Sequence, residues 1–362
     1  MKLDLIAIRL LIVYNSPIMF KPIYEITNKL LFNIKKISSI VFELNIKRFP
    51  EVVLYELERR AREISAHAST SIEGNPLPLT DVRQILKNQP HVLRNSEQEI
   101  INYNKALLYL NEDIKANSIK FNLNLILSVH KKVVYKLVPE YQLGKLRLEP
   151  VFVNNPKTGE TIYWPPDHKD VPELIDELID FVNKNRSKID PLIISGIFHK
   201  QFVIIHPFMD GNGRTTRLLT KAILAHMDLD TFNLFSFENY YNKNVTSYFS
   251  NVGVLGNYYD LMDSINFTGW LEYFTDGIID ELLRVKKISA EISISPKTEL
   301  LDYHKNILEF IEKKGFIRDK DYSKLTERAK ATRSLDFKKL IEMGLIEKEG
   351  KGKATYYQLK TK

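Results

Sequence analysis

Residues 206–217, "HPFMDGNGRTTR", set a histidine, an aspartate, a Gly-Asn-Gly run and two arginines directly after the apolar "FVII". A core helix has no use for that polarity, and an ordinary surface turn has no use for both arginines. Asp-Gly and Asn-Gly are common turn dipeptides, but the combination asks for more than a turn. Gly211, Asn212 and Gly213 can turn the backbone so that successive N–H groups face one concavity at the N-terminus of a helix starting near Arg214. Such a nest at a helix end attracts phosphate. Arg214 and Arg217, three apart, are neighbours on that helix and can grip outer phosphates bidentately. Asp210 is a hard oxygen ligand suited to a phosphate-bridging Mg²⁺, with Mn²⁺ as the alternative. His206, whose free imidazole titrates near ~6.5, can take a proton from an attacking hydroxyl at neutral pH. Together they suit in-line phosphoryl or nucleotidyl transfer. A calcium loop would need acidic residues where the arginines stand, and a Walker loop would need a following Gly-Lys-Ser/Thr.

The elements that must position this stretch are mostly helical. "YEITNKLLFNIKKISSIVFEL", "EVVLYELERRAREISAHA", "INYNKALLYLNEDI" and "LNLILSVHKKVV" carry apolar residues three and four apart. "VPELIDELIDFVNKN" and "DPLIISGIFHKQFVII" follow, the latter running straight into His206. Downstream, "GRTTRLLTKAILAHM", "NYYNKNVTSYFSNV" and "TGWLEYFTDGIIDELLRVKKI" read the same way. Between them, "RLEPVFVNNPKTGETIYWPP" alternates about Asn-Pro-Lys-Thr-Gly and predicts a β-hairpin. The expected fold is mainly α with one small hairpin. A linker is expected at "SISPKTE", 293–299.

With 362 residues the chain predicts two or three domains. The absence of cysteine excludes disulfides and thiolate metal sites and is compatible with a reducing cytoplasm, the expected location. The first residues are apolar, but Asp4 and Arg9 interrupt a run already too short for a bilayer, so no membrane partner is expected. Met19 is a second candidate start, because the helical pattern begins only after it. The net charge of +7 is concentrated at one end: residues 297–362 hold 17 Lys and Arg against 11 Asp and Glu, leaving 35 against 34 elsewhere. That basic end suits a polyanion or a docking partner.

At every defined position "HPFMDGNGRTTR" matches the signature of the Fic family, HPFx(D/E)GNGRxxR, and the resemblance covers about residues 20–290 with "SIEGN", "GKLR", "TIYWPP" and "KNVTSYF". The resemblance implies a helical core that transfers AMP from ATP to Ser, Thr or Tyr hydroxyls of a target protein, and of itself, releasing pyrophosphate. It implies His206 as general base, Asp210 as metal ligand, Gly211, Asn212 and Gly213 as anion nest, and Arg214 and Arg217 on the distal phosphates. Thr161, Ile162, Tyr163 and Trp164 resemble the flap that pairs with a target segment as an added strand. Asn244 and Tyr248 fall where the family lines its adenine pocket, although Val245 and Phe249 depart from that pattern.

"STSIEGN", 69–75, reads locally as a helix ending in a left-handed Gly74 cap, with Pro76 forbidding continuation. It also resembles the family's inhibitory motif, (S/T)xxxE(G/N), through Ser69, Glu73 and Gly74. The resemblance implies autoinhibition by Glu73 pairing with Arg217; some relatives use the same glutamate to remove AMP. Residues 298–362 resemble a winged helix-turn-helix, with "AKATRSLDFKKLIEMG" as recognition helix and Lys330, Arg333, Lys338, Lys351 and Lys353 toward phosphate. The expected organisation is therefore an N-terminal helical region, 1–110, with the inhibitory motif at 69–74; a catalytic core, 111–292; and the winged helix-turn-helix, 298–362. A DNA-binding regulator with an ATP-sensing core is the alternative function, and a homodimer and a protein partner for the tail stay open.

Overall fold

A computed structural model of the chain describes residues 20–46, 51–88, 90, 92–116, 119–155, 158–226, 236–291 and 300–360. Met19 and the expected linker at 293–299 lie outside the described residues. Four helices come first: α1 (Asn28–Ile46), α2 (Glu51–Ile72), α3 (Leu79–Asn88) and α4 (Asn95–Lys115). After α5 (Leu123–Val133) come the strands β1 (Val153–Asn154) and β2 (Thr161–Trp164), then α6 (Val171–Asn185), α7 (Pro191–Ile205) and α8 (Asn212–His226). The core is completed by α9 (Phe237–Lys243), α10 (Val245–Val252), β3 (Gly256–Asn257), α11 (Tyr258–Leu261) and α12 (Thr268–Glu291).

The centre of the molecule is α7. Thirteen of its fifteen residues are buried, as an all-round apolar sequence requires. Asp190 caps its start, accepting from Leu192 N–H at 2.8 Å, with Pro191 in the first turn, where no N–H is needed. It packs against α6, α8 and α12. Gly196 permits the closest approach, since a Cβ there would strike Leu271 and Phe274, and the Trp270 indole donates to the Gly196 carbonyl at 2.7 Å. Two apolar clusters fill the space on either side of this helix.

Two elements differ from the sequence expectation. "NYYNKNVTSYFSNV" is not one helix: it breaks at Asn244, which has non-helical φ and ψ and caps α10 by accepting from Ser247 N–H at 3.0 Å. The hairpin gains a third strand. Parallel β3 pairs with β2 at Tyr163↔Gly256 and Trp164↔Asn257, while β1 pairs antiparallel on the other side. A two-residue strand has no periodicity to read, so it left no trace in the sequence.

The C-terminal segment holds α13 (Asp302–Lys314), α14 (Asp319–Tyr322), α15 (Lys330–Glu342) and an antiparallel pair, β4 (Ile346–Glu349) and β5 (Tyr356–Leu359). It has an apolar core of its own, including Ile307, Leu308, Ile311, Phe337 and Leu340, against which Tyr55 of α2 packs. Among the described residues three ion pairs join it to the rest: Arg62 with Glu312, Lys87 with Glu347 at 2.5 Å, and Lys313 with Glu112 at 2.6 Å.

Candidate active site

α7 ends and α8 begins only six residues apart, and the loop between them is held from several sides. His206 closes α7 in the left-handed region, φ 51° and ψ 60°, with its N–H on the Phe202 carbonyl at 3.1 Å. The Asn212 side chain staples the loop: its Oδ1 accepts from Phe208 N–H at 2.9 Å and its Nδ2 donates to the Phe208 carbonyl at 2.8 Å. His130 of α5 stacks flat on Phe208, ring centroids 3.6 Å apart, and its Nε2 meets the Asp210 carbonyl at 3.0 Å. Gly144 N–H donates to its Nδ1 at 3.2 Å, so Nε2 carries the proton. Burial pushes the His130 imidazole down to about 4, which keeps it neutral. Gly211, φ +77°, lies so close to α5 that a Cβ would come within 2.5 Å of Val134 Cγ1. Only glycine fits both demands.

The His206 ring has a defined tautomer. Its Nδ1 lies 3.3 Å from the Val203 carbonyl, which can only accept, so Nδ1 carries the proton and Nε2 offers a lone pair. Burial lowers the imidazole pKa below its ordinary value, with Arg147 adding to the effect and the Val203 carbonyl, Glu73 and Asp210 opposing it. The ring is therefore neutral at pH 7, the state a general base needs.

Across the loop, the first turn of α8 faces the end of α2. Arg217 is fully buried and carries three strong bonds to that end: Nε to Ser69 Oγ at 2.7 Å, Nη2 to the Ser69 carbonyl at 2.8 Å, and Nη2 to Glu73 Oε1 at 2.7 Å. Burial, the largest single influence, would lower the Arg217 pKa, but the Glu73 carboxylate together with the Tyr248 and Tyr103 hydroxyls outweighs it and the net shift is upward. The same Glu73 oxygen lies against Gly213, where any Cβ would collide with it. Gly74 follows at φ +93°, turning the chain away from the site. A carboxylate thus occupies the N-terminal turn of α8, whose first N–H groups have no intrahelical partner.

Arg214 lies beside it, almost wholly buried, with Nη2 3.0 Å from Asp210 Oδ1 and Nη1 3.3 Å from Glu99 Oε1. Its Nε is buried without a hydrogen-bond partner among the described residues, and Nη1 has the Glu99 ion pair but no hydrogen bond of good geometry, so both could turn to an anionic ligand. Among the described residues no group of three or more His, Cys, Asp or Glu could hold a metal ion by itself. Asp210 is a single half-exposed carboxylate at the mouth of the loop. That donor set fits a Mg²⁺ held chiefly by substrate phosphates and water, with one protein ligand.

The fold therefore brings together His206, Asp210, Gly211, Asn212, Gly213, Arg214, Arg217, Ser69, Glu73 and Gly74. Other expected residues stand differently. Tyr248 is buried, stacked on Tyr241, with its hydroxyl 3.0 Å from His199 Nε2 and 3.5 Å from Arg217 Nη1, so it backs the arginine and offers no open face to a base. The Asn244 side chain is engaged as a helix cap. Tyr163 faces the core and donates to the Ile204 carbonyl at 2.9 Å, which leaves Thr161, Ile162 and exposed Trp164 as the outward part of the strand. The free edge of β2 is further shortened by β3. Two contributors were missed. Glu99 reads in sequence like any polar-face charge of α4, yet it bridges Arg214 and Asn75, the latter at 2.8 Å. Arg147 was visible only as the last residue of "GKLR".

This is a helical domain whose chemistry sits between two buried helices, with an anion cradle at the start of the second and a carboxylate from a remote helix laid across it. Residues 120–224 match the model of the Fic/DOC family. Among its relatives, "Protein adenylyltransferase Fic" of Nematostella vectensis is 31% identical over 160 residues, 43% of this chain and 36% of the relative. "Protein adenylyltransferase fic-1" of Caenorhabditis elegans is 30% identical over 176 residues, 46% of this chain and 33% of the relative. The matched stretch thus spans about a third of those relatives. In fold the chain is similar to a Fic family protein from Desulfovibrio desulfuricans (TM-score 0.61, 21% identity, 95% of this chain and 99% of the other). It is also similar to residues 134–508 of C. elegans Fic-1 (TM-score 0.58, 21% identity, 73% and 74%).

Proposed function

We propose that the chain is a protein adenylyltransferase, held in check by its own Glu73. In this reading ATP lies along the first turn of α8, its phosphates on the N–H groups of Gly211–Gly213 and on Arg214 and Arg217. His206 Nε2 takes the proton of a target Ser, Thr or Tyr hydroxyl. That oxygen attacks the α-phosphorus, the bond to the bridging oxygen breaks, and pyrophosphate leaves with AMP joined to the target. Asp210 would hold a Mg²⁺, which when bound neutralises charge on the phosphates. The outward residues of β2, Thr161, Ile162 and Trp164, would guide the target segment toward His206.

The observation that carries the proposal is the placement of Glu73. A carboxylate bonded to a fully buried Arg217 and packed on Gly213 occupies the ground a γ-phosphate would need, a relation with no purpose unless that ground binds anions. A purely structural ion pair would have no reason to sit across an N-terminal helix turn beside a neutral histidine. Incubating wild type, Glu73→Gly and Glu73→Gly/His206→Ala with Mg²⁺ and ATP labelled at the α-phosphate tests it. Label strong in Glu73→Gly and absent from the double variant is expected; no label in any lane would remove the proposal. An AMP-removing role for Glu73 would show instead as faster loss of AMP from labelled protein when Glu73 is restored.

The tail reading as a winged helix-turn-helix is kept with a changed surface. The order of three helices and a hairpin supports it. Its arginines do not support duplex recognition. Arg333 is clamped by both oxygens of Asp319 at 2.8 and 2.9 Å, and Arg328 by Asp336 at 2.9 and 3.1 Å while lying over Tyr303. Of the cations expected to meet phosphate, Lys330, Lys338 and Lys351 are exposed, and the Lys353 side chain lies outside the description. The outermost ridge of α15 is Ala331, Leu335, Lys338 and Glu342, nearly neutral, which favours a protein partner over DNA. For the location of the protein, the finding is that no described helix is long and apolar enough to cross a membrane.

A further inference from the structure

Arg147 is only 2% exposed, yet no carboxylate reaches it within ion-pair distance among the described residues. Its donors go to backbone carbonyls of three separate segments. Nε donates to the His206 carbonyl at 2.8 Å, Nη1 to the Glu149 carbonyl at 3.1 Å, and Nη2 to the Pro166 carbonyl at 2.5 Å. Its own backbone N–H donates to the Pro207 carbonyl at 2.9 Å. A buried cation is expensive to keep, and packing alone would be served better by leucine.

The reason for an arginine lies in the prolines. The chain leaving β2 reads Trp164-Pro165-Pro166, and the catalytic loop reads His206-Pro207. Three of these residues have no N–H, so the two segments cannot hydrogen-bond to each other as a sheet or turn would. A guanidinium supplies, from one rigid plane, the donors that both segments lack. The second tie between them is the Tyr163 hydroxyl on the Ile204 carbonyl, two residues before His206. The strand meant for the target and the loop meant for the base are thereby joined at the residues flanking the histidine.

We propose that Arg147 is a positioning residue that fixes the β2 segment and the His206 loop in one register, so that a hydroxyl held along β2 meets Nε2. The proposal rests on the transfer reading above, but part of its test does not. Arg147 has no contact with Arg214, Arg217 or Gly213, so its loss separates nucleotide binding from transfer. Misplacing a base by about an ångström costs on the order of a hundredfold in rate.

The experiment uses the full chain carrying Glu73→Gly, with Arg147→Gln and Arg147→Lys added separately. Expected for Arg147→Gln are an ATP dissociation constant within about twofold of the parent and a kcat for AMP transfer lower by tenfold to a hundredfold. Arg147→Lys, which can reach one carbonyl but not three, should recover part of that rate. In histidine-labelled protein the His206 ring ¹⁵N signals, assigned against His206→Ala, should shift in both variants. A kcat within twofold of the parent, or a loss that appears wholly as weaker ATP binding, would overturn the proposal. So would loss of cooperative melting in both variants, which would make Arg147 a folding requirement only. If the Glu73→Gly parent transfers no AMP, the functional reading fails. The ring signals then decide alone: shifted supports the register, unchanged refutes it.

Discussion

Replacing Glu73 should move activity and stability in opposite directions, and the structure sets both sizes. The Glu73 carboxylate is 2.7 Å from Arg217 Nη2, and the guanidinium has no exposure at all, which argues for a strong pair. A hydrogen bond to a charged group contributes about 1.5–3 kcal/mol net, and two unit charges 4 Å apart attract by about 4 kcal/mol at a near-surface dielectric. Glu73 keeps 30% of its side-chain surface, so the lower figures apply. In the proposed reading ATP must displace this carboxylate and Glu73→Gly removes the competition, so a release of about 1.5–3 kcal/mol corresponds to a gain of tenfold to a hundredfold in AMP transfer. The same change strips a buried guanidinium of its carboxylate and leaves it Ser69 Oγ, the Ser69 carbonyl and the more distant Tyr248 hydroxyl. The variant should therefore unfold at lower denaturant than wild type, and ATP at a hundred times its dissociation constant should return about 2.7 kcal/mol. Glu73→Gln separates charge from bulk, because it keeps the shape and removes the anion. Transfer rates by α-phosphate label and denaturant midpoints with and without ATP are the measurements. A Glu73→Gly protein no faster than wild type, or a Glu73→Gln protein as slow as wild type while Glu73→Gly is fast, would refute the electrostatic brake.

Four further outcomes follow from the site and its supports. AMP transfer by Glu73→Gly should hold steady through neutral pH, with its acid limb below ~6.5, because the depressed His206 pKa keeps Nε2 unprotonated there; a limb centred above 7 in the pH–kcat profile would contradict this. His130 titrates near 4 when folded against ~6.5 when unfolded, so the unfolded chain binds more protons between those values. Its contribution is present above ~6.5 and is lost as pH falls to about 4, and urea midpoints should fall less steeply there in His130→Gln. Gly211→Ala should cost about 2–4 kcal/mol in urea melts, since it adds a left-handed penalty to a collision with Val134. Glu312→Ala should cost about 3 kcal/mol by leaving Arg62 buried and unpaired, and the Arg62→Met/Glu312→Met pair should recover most of it in a double-mutant cycle.

The parts legible in the sequence were those written locally. Apolar spacing marks the helices, because burial on one face repeats every turn. The loop of residues 206–217 was legible because its polarity has no local excuse, and "SIEGN" because Gly74 and Pro76 end a helix whatever else they do. Contacts between distant segments were not legible. Tyr248 and Arg217 are 31 residues apart, and Ser69 and Arg217 are 148 apart. Nothing in the local pattern tells a tyrosine that backs an arginine from one that stacks on adenine. Tyr163 was grouped with its neighbours by resemblance to a flap, but strand alternation sets it opposite exposed Trp164, on the face where its hydroxyl reaches the Ile204 carbonyl of α7. Arg333 looked like a phosphate contact because a helix period shows which face is polar and not which acid lies opposite; Asp319 takes its Nε and Nη2, and the Arg328 carbonyl its Nη1.

The left-handed turn at His206 has one more consequence. Only two described residues other than glycine adopt positive φ, and one of them is the proposed base. That conformation costs a side-chain-bearing residue about 1–2 kcal/mol and glycine almost nothing. A His206→Gly protein should therefore be sturdier than wild type and chemically inert. Anyone evolving this chain for heat resistance would meet a conflict at this position, where relieving the backbone removes the proposed base.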